Sequence, residues 1–489
     1  MLFNSLQFII FFPIVAVAYY VLPQRLRNLW LLLASYFFYM CWNVRYALLL
    51  FASTAITYLG GLALERLKQR APSQISLRRL VLLSALLVNL FILFYYKYLN
   101  FILELLQRAL GLIHVQLNMP AFDILLPVGI SFYTFQALGY LIDVYRGDIY
   151  AEKNPIRYAL FVSFFPQLVA GPIERSKNLL KQLDANPKAD LQQIGNGLLL
   201  MLWGFFLKLV IAERCGIIVD TVYDGYEAYG SLPLALANIL FAFQIYCDFF
   251  GYSTIAKGAA QVLGIELMEN FTRPYFSGSV KEFWRRWHIS LSTWFKDYLY
   301  IPLGGNRRGR IRKYRNLFIT FMVSGLWHGA SLNFVVWGML HGLYQILEDL
   351  FSYVFHRENA PKPPAPSGIK VLQILKTFLL VDLAWIFFRA KDLHSALSIL
   401  KGSFMLPDMN WLLAGGIFRL GLGKADVVIL LLGLLCLLIA GYIREKGSCA
   451  LALLGRQKAP VRFLVYQAAV CLIILSMDIG GAEFIYFQF

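Results

Sequence analysis

Apolar runs of about 20 residues recur from one end of this chain to the other, and that is the length at which a helix crosses a hydrocarbon core about 30 Å thick. Lipid offers no water to backbone N–H and C=O groups, so such runs must pair those groups internally, as helices do. Only 15% of the 489 residues are charged and 59% are hydrophobic, whereas soluble domains carry roughly 25% charged residues. The chain therefore reads as an all-α polytopic membrane protein, with a single membrane domain over residues 1–489. Candidate spans fall at 6–22, 28–42, 46–65, 79–97, 122–141, 158–173, 193–212, 232–250, 316–346, 370–388, 426–443 and 462–478. That gives about ten to twelve membrane segments, with 316–346 long enough for one tilted helix or two short ones. The first run, LQFIIFFPIVAVAYYVLP, lacks a basic start and a small-residue cleavage site, so it reads as a retained span.

The formal net charge is +17, from 45 basic and 28 acidic residues. The basic residues gather in loops. Arg25 and Arg27 follow the first run; Arg66, Lys68, Arg70, Arg78 and Arg79 precede the fourth. NRRGRIRKYR (306–315) holds six basic residues in ten, and Arg444, Lys446, Arg456, Lys458 and Arg462 precede the last run. Cytoplasmic loops collect Lys and Arg, and anionic headgroups hold them at the surface. All four loops are placed in the cytoplasm, which puts the N-terminus outside. The charge thus points to membrane lipids; no nucleic-acid module is recognisable, and no nucleic-acid partner is expected. The six Cys are scattered without a C-x-x-C pair, so no metal or redox site is expected.

Several runs are interrupted. ILLPVGISFYTFQALGY contains Pro127 and Gly129, and FVSFFPQLVAGPIERS contains Pro166, Gly171 and Pro172. Such breaks free backbone groups, which is tolerated where protein or a water-filled cavity surrounds them. Ordinary proline kinks are the other reading. HRENAPKPPAPSG (356–368) marks a Pro-rich loop over 352–369, since prolines forbid helix and favour an extended linker. No internal repeat of the transporter kind is visible.

GSVKEFWRRWHISLSTWFKDYLYIPLGG (278–305) predicts an interfacial amphipathic helix. Ser279 and Glu282 have capping-box spacing. Trp284, Trp287, Leu291, Trp294, Phe295 and Tyr298 follow steps of three and four, giving one apolar face with tryptophans at headgroup depth. Pro302 and the Gly304-Gly305 pair end it. His288 lies on or beside that face, either bonded to a neighbouring carbonyl or turned towards a reaction site.

The run LFITFMVSGLWHGASLNFVVWGMLHGLY holds no Lys, Arg, Asp or Glu, yet it contains His328. From Arg315 to His328 is about 20 Å of helix, so the ring lies well inside the hydrocarbon. Intramembrane ionisable residues face protein or water and often mark function. Gly325, Gly329, Ser324, Ala330 and Ser331 are small, which suits a tight helix contact or leaves room for a substrate. Packing and catalysis both remain open on this motif alone. His341, 13 residues on, points to another helical face and reads as structural. A buried neutral imidazole can take a proton from a hydroxyl. No nucleophile elbow or zinc cluster accompanies it, which suits direct attack of a substrate hydroxyl on an activated acyl group.

FFPQLVAGPIER (164–175), YCDFFGYSTIAKG (246–258), ENFTRPYFSGSVKEFWRRWHISLSTWFKDYLYIPLGGNR (269–307), GLWHGASLNFVVWGMLHG (325–342), WIFFRA (385–390) and FIYFQF (484–489) together resemble the membrane-bound O-acyltransferase (MBOAT) family, and within it the alginate O-acetyltransferase-like branch. The resemblance implies a fold with broken and re-entrant helices around a central catalytic tunnel. It implies that His328 is the essential base and that His288 is the second catalytic position. It further implies acetyl-coenzyme A as acyl donor, no permanently bound cofactor, a polysaccharide acceptor and an extracytoplasmic acetyltransferase partner. A bacterial plasma membrane is the expected location. Phosphates of coenzyme A would suit the basic loop 306–315, although positive-inside topology explains that loop equally well. On this footing Gly325 and Gly329 are expected to give the substrate access to His328, so that Gly329→Leu would block activity without unfolding the protein. The competing readings are a D-alanyl transferase of the teichoic-acid pathway and a non-enzymatic transporter or scramblase. Internal repeats or paired intramembrane carboxylates would support the last, and neither is evident in the sequence.

Overall fold

The computed structural model describes residues 1–115, 120, 122–169, 171–185, 187–355 and 367–477, and among them the regular elements are helical. The chain begins with α1 (Leu6–Val21), α2 (Gln24–Met40), α3 (Val44–Arg70), α4 (Ile75–Lys97) and α5 (Leu99–Leu112). It continues through α6 (Ile130–Arg146), α7 (Pro155–Ser163), α8 (Phe165–Leu168), α9 (Ser176–Ala185) and α10 (Leu191–Phe205). A π-helical turn, Phe206–Ala212, joins α10 to α11 (Glu213–Asp224), and α12 (Ser231–Val262) follows. Next come α13 (Val280–Arg286), α14 (Ile289–Phe295), α15 (Arg310–His328), α16 (Leu332–Phe355) and α17 (Ser367–Arg389). The last are α18 (Leu393–Ser403), α19 (Met409–Leu413), α20 (Lys424–Glu445), α21 (Ala450–Gly455) and α22 (Ala459–Ser476). Short polar side chains start several of them. Ser5 and Asn43 accept from first-turn amides, Asn154 caps α7 with Pro155 next to it, and Asp392 forms a capping box with Ser395.

Among the described residues seven helices are long and apolar enough to cross a membrane: α3, α4, the Leu191–Asp224 run, α12, α17 from Gly368, α20 and α22. The ten to twelve expected segments counted apolar runs, and the structure divides several of these. The 122–141 run is helical only from Ile130, the 158–173 run breaks into α7 and α8, and the 316–346 run forms two helices, α15 and α16. The α7–α8 break lies in protein. Leu160, Phe161, Phe164 and Phe165 are fully buried. The Phe161 carbonyl accepts from the amides of Gln136 (2.5 Å) and Gln167 (2.8 Å), and the Phe165 N–H donates to Ser35 Oγ (3.1 Å). Side chains thus replace the missing helical partners, as irregular backbone at this depth requires.

The chain groups into two units, Met1–Leu200 with Ile255–Met268 and Met201–Thr254 with Glu269–Phe489, two of the three boundaries falling inside α10 and α12 and the third after Met268. In the first unit α3 packs on α4 and α6, and α2 packs on α7. Its core includes a ring cluster of Phe3, Phe8, Phe38 and Phe165. The second unit's core includes Trp287, Trp337 and Trp385, each at most 1% exposed and in ring contact through Trp385, and the unit holds both singled-out histidines. The expected Pro-rich loop is bounded by helix: α16 runs to Phe355 and α17 starts at Ser367, while 356–366 lie outside the described residues. The terminal FIYFQF also lies outside them.

Candidate active site

Residues 278–305 do not form the single helix predicted. Ser279 caps α13, accepting from the Glu282 N–H at 3.1 Å, but α13 ends at Arg286 and α14 begins at Ile289. Between them His288 adopts a left-handed backbone (φ 43°, ψ 54°), which costs a non-glycine residue roughly 1–2 kcal/mol. The segment 269–272 holds this bend on both sides. The Thr272 N–H donates to the Arg286 carbonyl (2.9 Å), and the Ile289 N–H donates to the Asn270 carbonyl (3.0 Å). Asn270 Oδ1 accepts from Ser290 Oγ (2.6 Å) and the Ser290 N–H (3.3 Å), while its Nδ2 donates to Ser253 Oγ (3.0 Å). Nor does the apolar face lie at a membrane surface. Trp284, Trp287, Trp294 and Phe295 are buried in the protein, and rings of α12, α16 and α17 pack on Trp284 and Trp287.

His328 is the last residue of α15. Its position is fixed by a close helical hairpin. A Cβ at Gly325 would stand 2.2 Å from the Phe334 carbonyl oxygen, and one at Gly338 would stand 2.2 Å from that of Phe321. Only glycine permits backbones to approach so closely. A Cβ at Gly329 would lie 2.1 Å from the Phe334 ring. The space beside these glycines is thus filled by α16, and the expectation that they admit substrate is corrected: Gly329→Leu collides with Phe334 and disrupts packing.

The two imidazoles meet in an aromatic enclosure. His328 is 3% exposed and His288 is fully buried. Their ring centroids are 6.4 Å apart at 63°. Trp327 and Trp337 each stand edge-on to His328 at 4.9 Å, and Phe388 lies at 5.4 Å. Phe249 stands edge-on to His288 at 4.7 Å, with Trp327 at 6.1 Å. Burial pushes the His288 imidazole down to about 3, so it is neutral near pH 7.

His341 behaves as the sequence predicts for a structural residue. Its Nδ1 accepts from Trp284 Nε1 at 3.2 Å, tying α16 to α13. Acceptance at Nδ1 leaves the neutral ring's proton on Nε2.

Four of the motifs meet here: Phe249 from YCDFFGYSTIAKG, Asn270 and His288 from 269–307, His328 from GLWHGA, and Phe388 from WIFFRA. FFPQLVAGPIER belongs to the first unit, where Glu174 accepts from the Met268 and Asn178 N–H groups and burial raises its carboxyl to about 7. One feature escaped the sequence reading altogether. Asp248 and Glu213 flank a single buried ammonium, that of Lys208, at 2.8 and 3.8 Å. Paired intramembrane carboxylates are therefore present, 35 positions apart and invisible as a motif.

Comparison with known proteins agrees with the motifs. The model of the MBOAT, membrane-bound O-acyltransferase family, matches residues 151–372. The chain is 39% identical over 413 residues to a probable alginate O-acetylase AlgI of Pseudomonas syringae pv. tomato, covering 83% of this chain and 76% of that protein. It is 36% identical over 445 residues to a peptidoglycan O-acetyltransferase of Helicobacter pylori, covering 84% and 81%. It is 30% identical over 281 residues to a teichoic acid D-alanyltransferase of Streptococcus thermophilus, covering 53% and 68%.

Proposed function

Because the chain belongs to the membrane-bound O-acyltransferase family and is an O-acyltransferase, we propose that it moves an acetyl group from cytoplasmic acetyl-coenzyme A to a hydroxyl serving O-acetylation of an exported polysaccharide such as alginate. The single observation that carries the mechanism is the pair of buried imidazoles 6.4 Å apart. His328 takes the proton of the acceptor hydroxyl as its oxygen attacks the thioester carbonyl carbon. The carbon–sulfur bond then breaks, and the departing thiolate takes that proton back from the imidazolium. His288, neutral because it is buried, donates its ring N–H to the oxygen on which negative charge develops. The aromatic walls exclude water, which otherwise competes for the acyl group.

Two relatives are named for glycans, a probable alginate O-acetylase and a peptidoglycan O-acetyltransferase, and both align over more of the chain than the D-alanyltransferase does. That favours an acetyl donor over a D-alanyl one. The acceptor hydroxyl belongs to the glycan itself or to an extracytoplasmic acetyltransferase that completes the transfer, in the plasma membrane of a bacterium. The test is mass analysis of surface and secreted glycans from cells with the wild-type gene, without it, and with His328→Ala. Acetyl groups are expected in the first and absent from the other two, with the variant still inserted. Unchanged acetylation in the variant would sink the proposal.

A further inference from the structure

We infer that Lys208 and Asp248 are positioning residues for His288, acting through Phe249. The inference rests on the reading of His288 as part of the catalytic pair. Lys208 lies on the π-helical turn Phe206–Ala212 within the Leu191–Asp224 span, and Asp248 lies within α12, itself a span. Lys208 Nζ is 2.8 Å from Asp248 Oδ1 and 3.8 Å from Glu213 Oε1, and the three side chains are 2–5% exposed. A charge at this depth without its partner is expensive, so the pair fixes which part of α12 faces the π turn. π turns of this kind recur at functional sites.

The backbones are in contact at the same level. A Cβ at Gly251 would stand 2.8 Å from the Gly204 carbonyl oxygen and 3.1 Å from the Lys208 nitrogen. The ammonium and carboxylate therefore tie α12 to the π turn at the level where the two backbones touch. Phe249 follows Asp248 directly in the chain. Its fully buried ring stands edge-on to His288 at 4.7 Å and to Phe271 at 5.0 Å. A shift of α12 carries that ring with it, and His288 sits on a left-handed bend that tolerates little displacement. The ion pair thus bears on the imidazole's place through the phenyl ring of the next residue.

The experiment uses the full-length protein in detergent, with Lys208→Met and Lys208→Arg beside the wild type. One arm measures labelling of His288 by diethyl pyrocarbonate, read by mass spectrometry, which does not depend on any enzymatic activity. The other measures kcat and KM for acetyl-coenzyme A per folded molecule. Lys208→Met is expected to raise His288 labelling and to lower kcat by about 100-fold, the cost of misplacing a reacting group by roughly 1 Å, with KM unchanged. Lys208→Arg keeps the charge and is expected to restore both. Asp248→Asn, which keeps the side-chain shape, is read in the same way should Lys208→Met not be recovered. Folded Lys208→Met or Asp248→Asn with wild-type labelling overturns the inference. Raised labelling with an unchanged kcat supports the positioning and counts instead against a catalytic role for His288.

Discussion

Gly325→Ala tests whether the glycine hairpin exists to hold His328 in place. The new methyl carbon would stand 2.2 Å from the Phe334 carbonyl oxygen and 3.3 Å from Gly338 Cα, whereas ordinary contact begins at 3.4 Å. The oxygen belongs to backbone, so no side chain can swing aside. Helices α15 and α16 must part by about 1.2 Å, the gap between 3.4 and 2.2 Å. His328 lies three residues further along α15, less than one helical turn, and moves with it. Overpacking of this size costs about 1–3 kcal/mol of stability, and a displacement of roughly 1 Å at a reacting group costs on the order of 100-fold in rate. The assay is thiol release from acetyl-coenzyme A by purified protein, normalised to the folded fraction from size-exclusion chromatography. Gly342→Ala is the control on the same hairpin, since its nearest neighbour, Phe321 Cβ, would lie at 3.3 Å. The reasoning predicts a loss of about 100-fold for Gly325→Ala and near wild-type turnover for Gly342→Ala. A folded Gly325→Ala protein with full activity would refute it.

Further outcomes follow from the same geometry. His288→Gly should melt higher than His288→Ala by about 1 kcal/mol of stability, because glycine adopts the left-handed backbone at φ 43° freely; equal melting in a detergent thermal shift would argue that the bend relaxes. Asn270→Ala strips the side-chain partners from Ser290 and Ser253, which should cost about 1–3 kcal/mol per group left unpaired and reduce kcat with it, measured on the same samples. His288 is held at about 3 in the folded protein against 6.5 when free. Its stabilising contribution is therefore complete above about 6.5 and is lost as the pH falls towards 3, so the melting temperature should fall over that window and His288→Asn should flatten the fall.

The helical, membrane-spanning character was legible because about 20 apolar residues admit little else in lipid. His328 was legible for a related reason: an ionisable ring in an apolar run stands out. The break at His288 was not, because the three- and four-residue spacing of Trp284, Trp287, Leu291 and Trp294 continues through it. What bends the chain there is Asn270, 18 positions earlier, and no local propensity registers a partner at that distance. Gly325 and Gly329 show the converse limit. Small residues fit both an open passage and a tight contact, and only the position of Phe334 decides between them. Lys208 and Asp248 lie in apolar runs as single charges and Glu213 stands beside Arg214 at the end of one, and the Lys208–Asp248 pairing becomes visible only when α12 is laid against the π turn.

The central claim is that His328 is the base that deprotonates the acceptor. It is tested most directly by single-turnover acetyl transfer from acetyl-coenzyme A, using purified wild-type, His328→Gln and His328→Ala proteins of verified fold. Loss of a general base predicts a fall of about 100- to 10,000-fold in the transfer step for both variants, with donor binding retained. Transfer at the wild-type rate by a folded His328→Ala protein would contradict it.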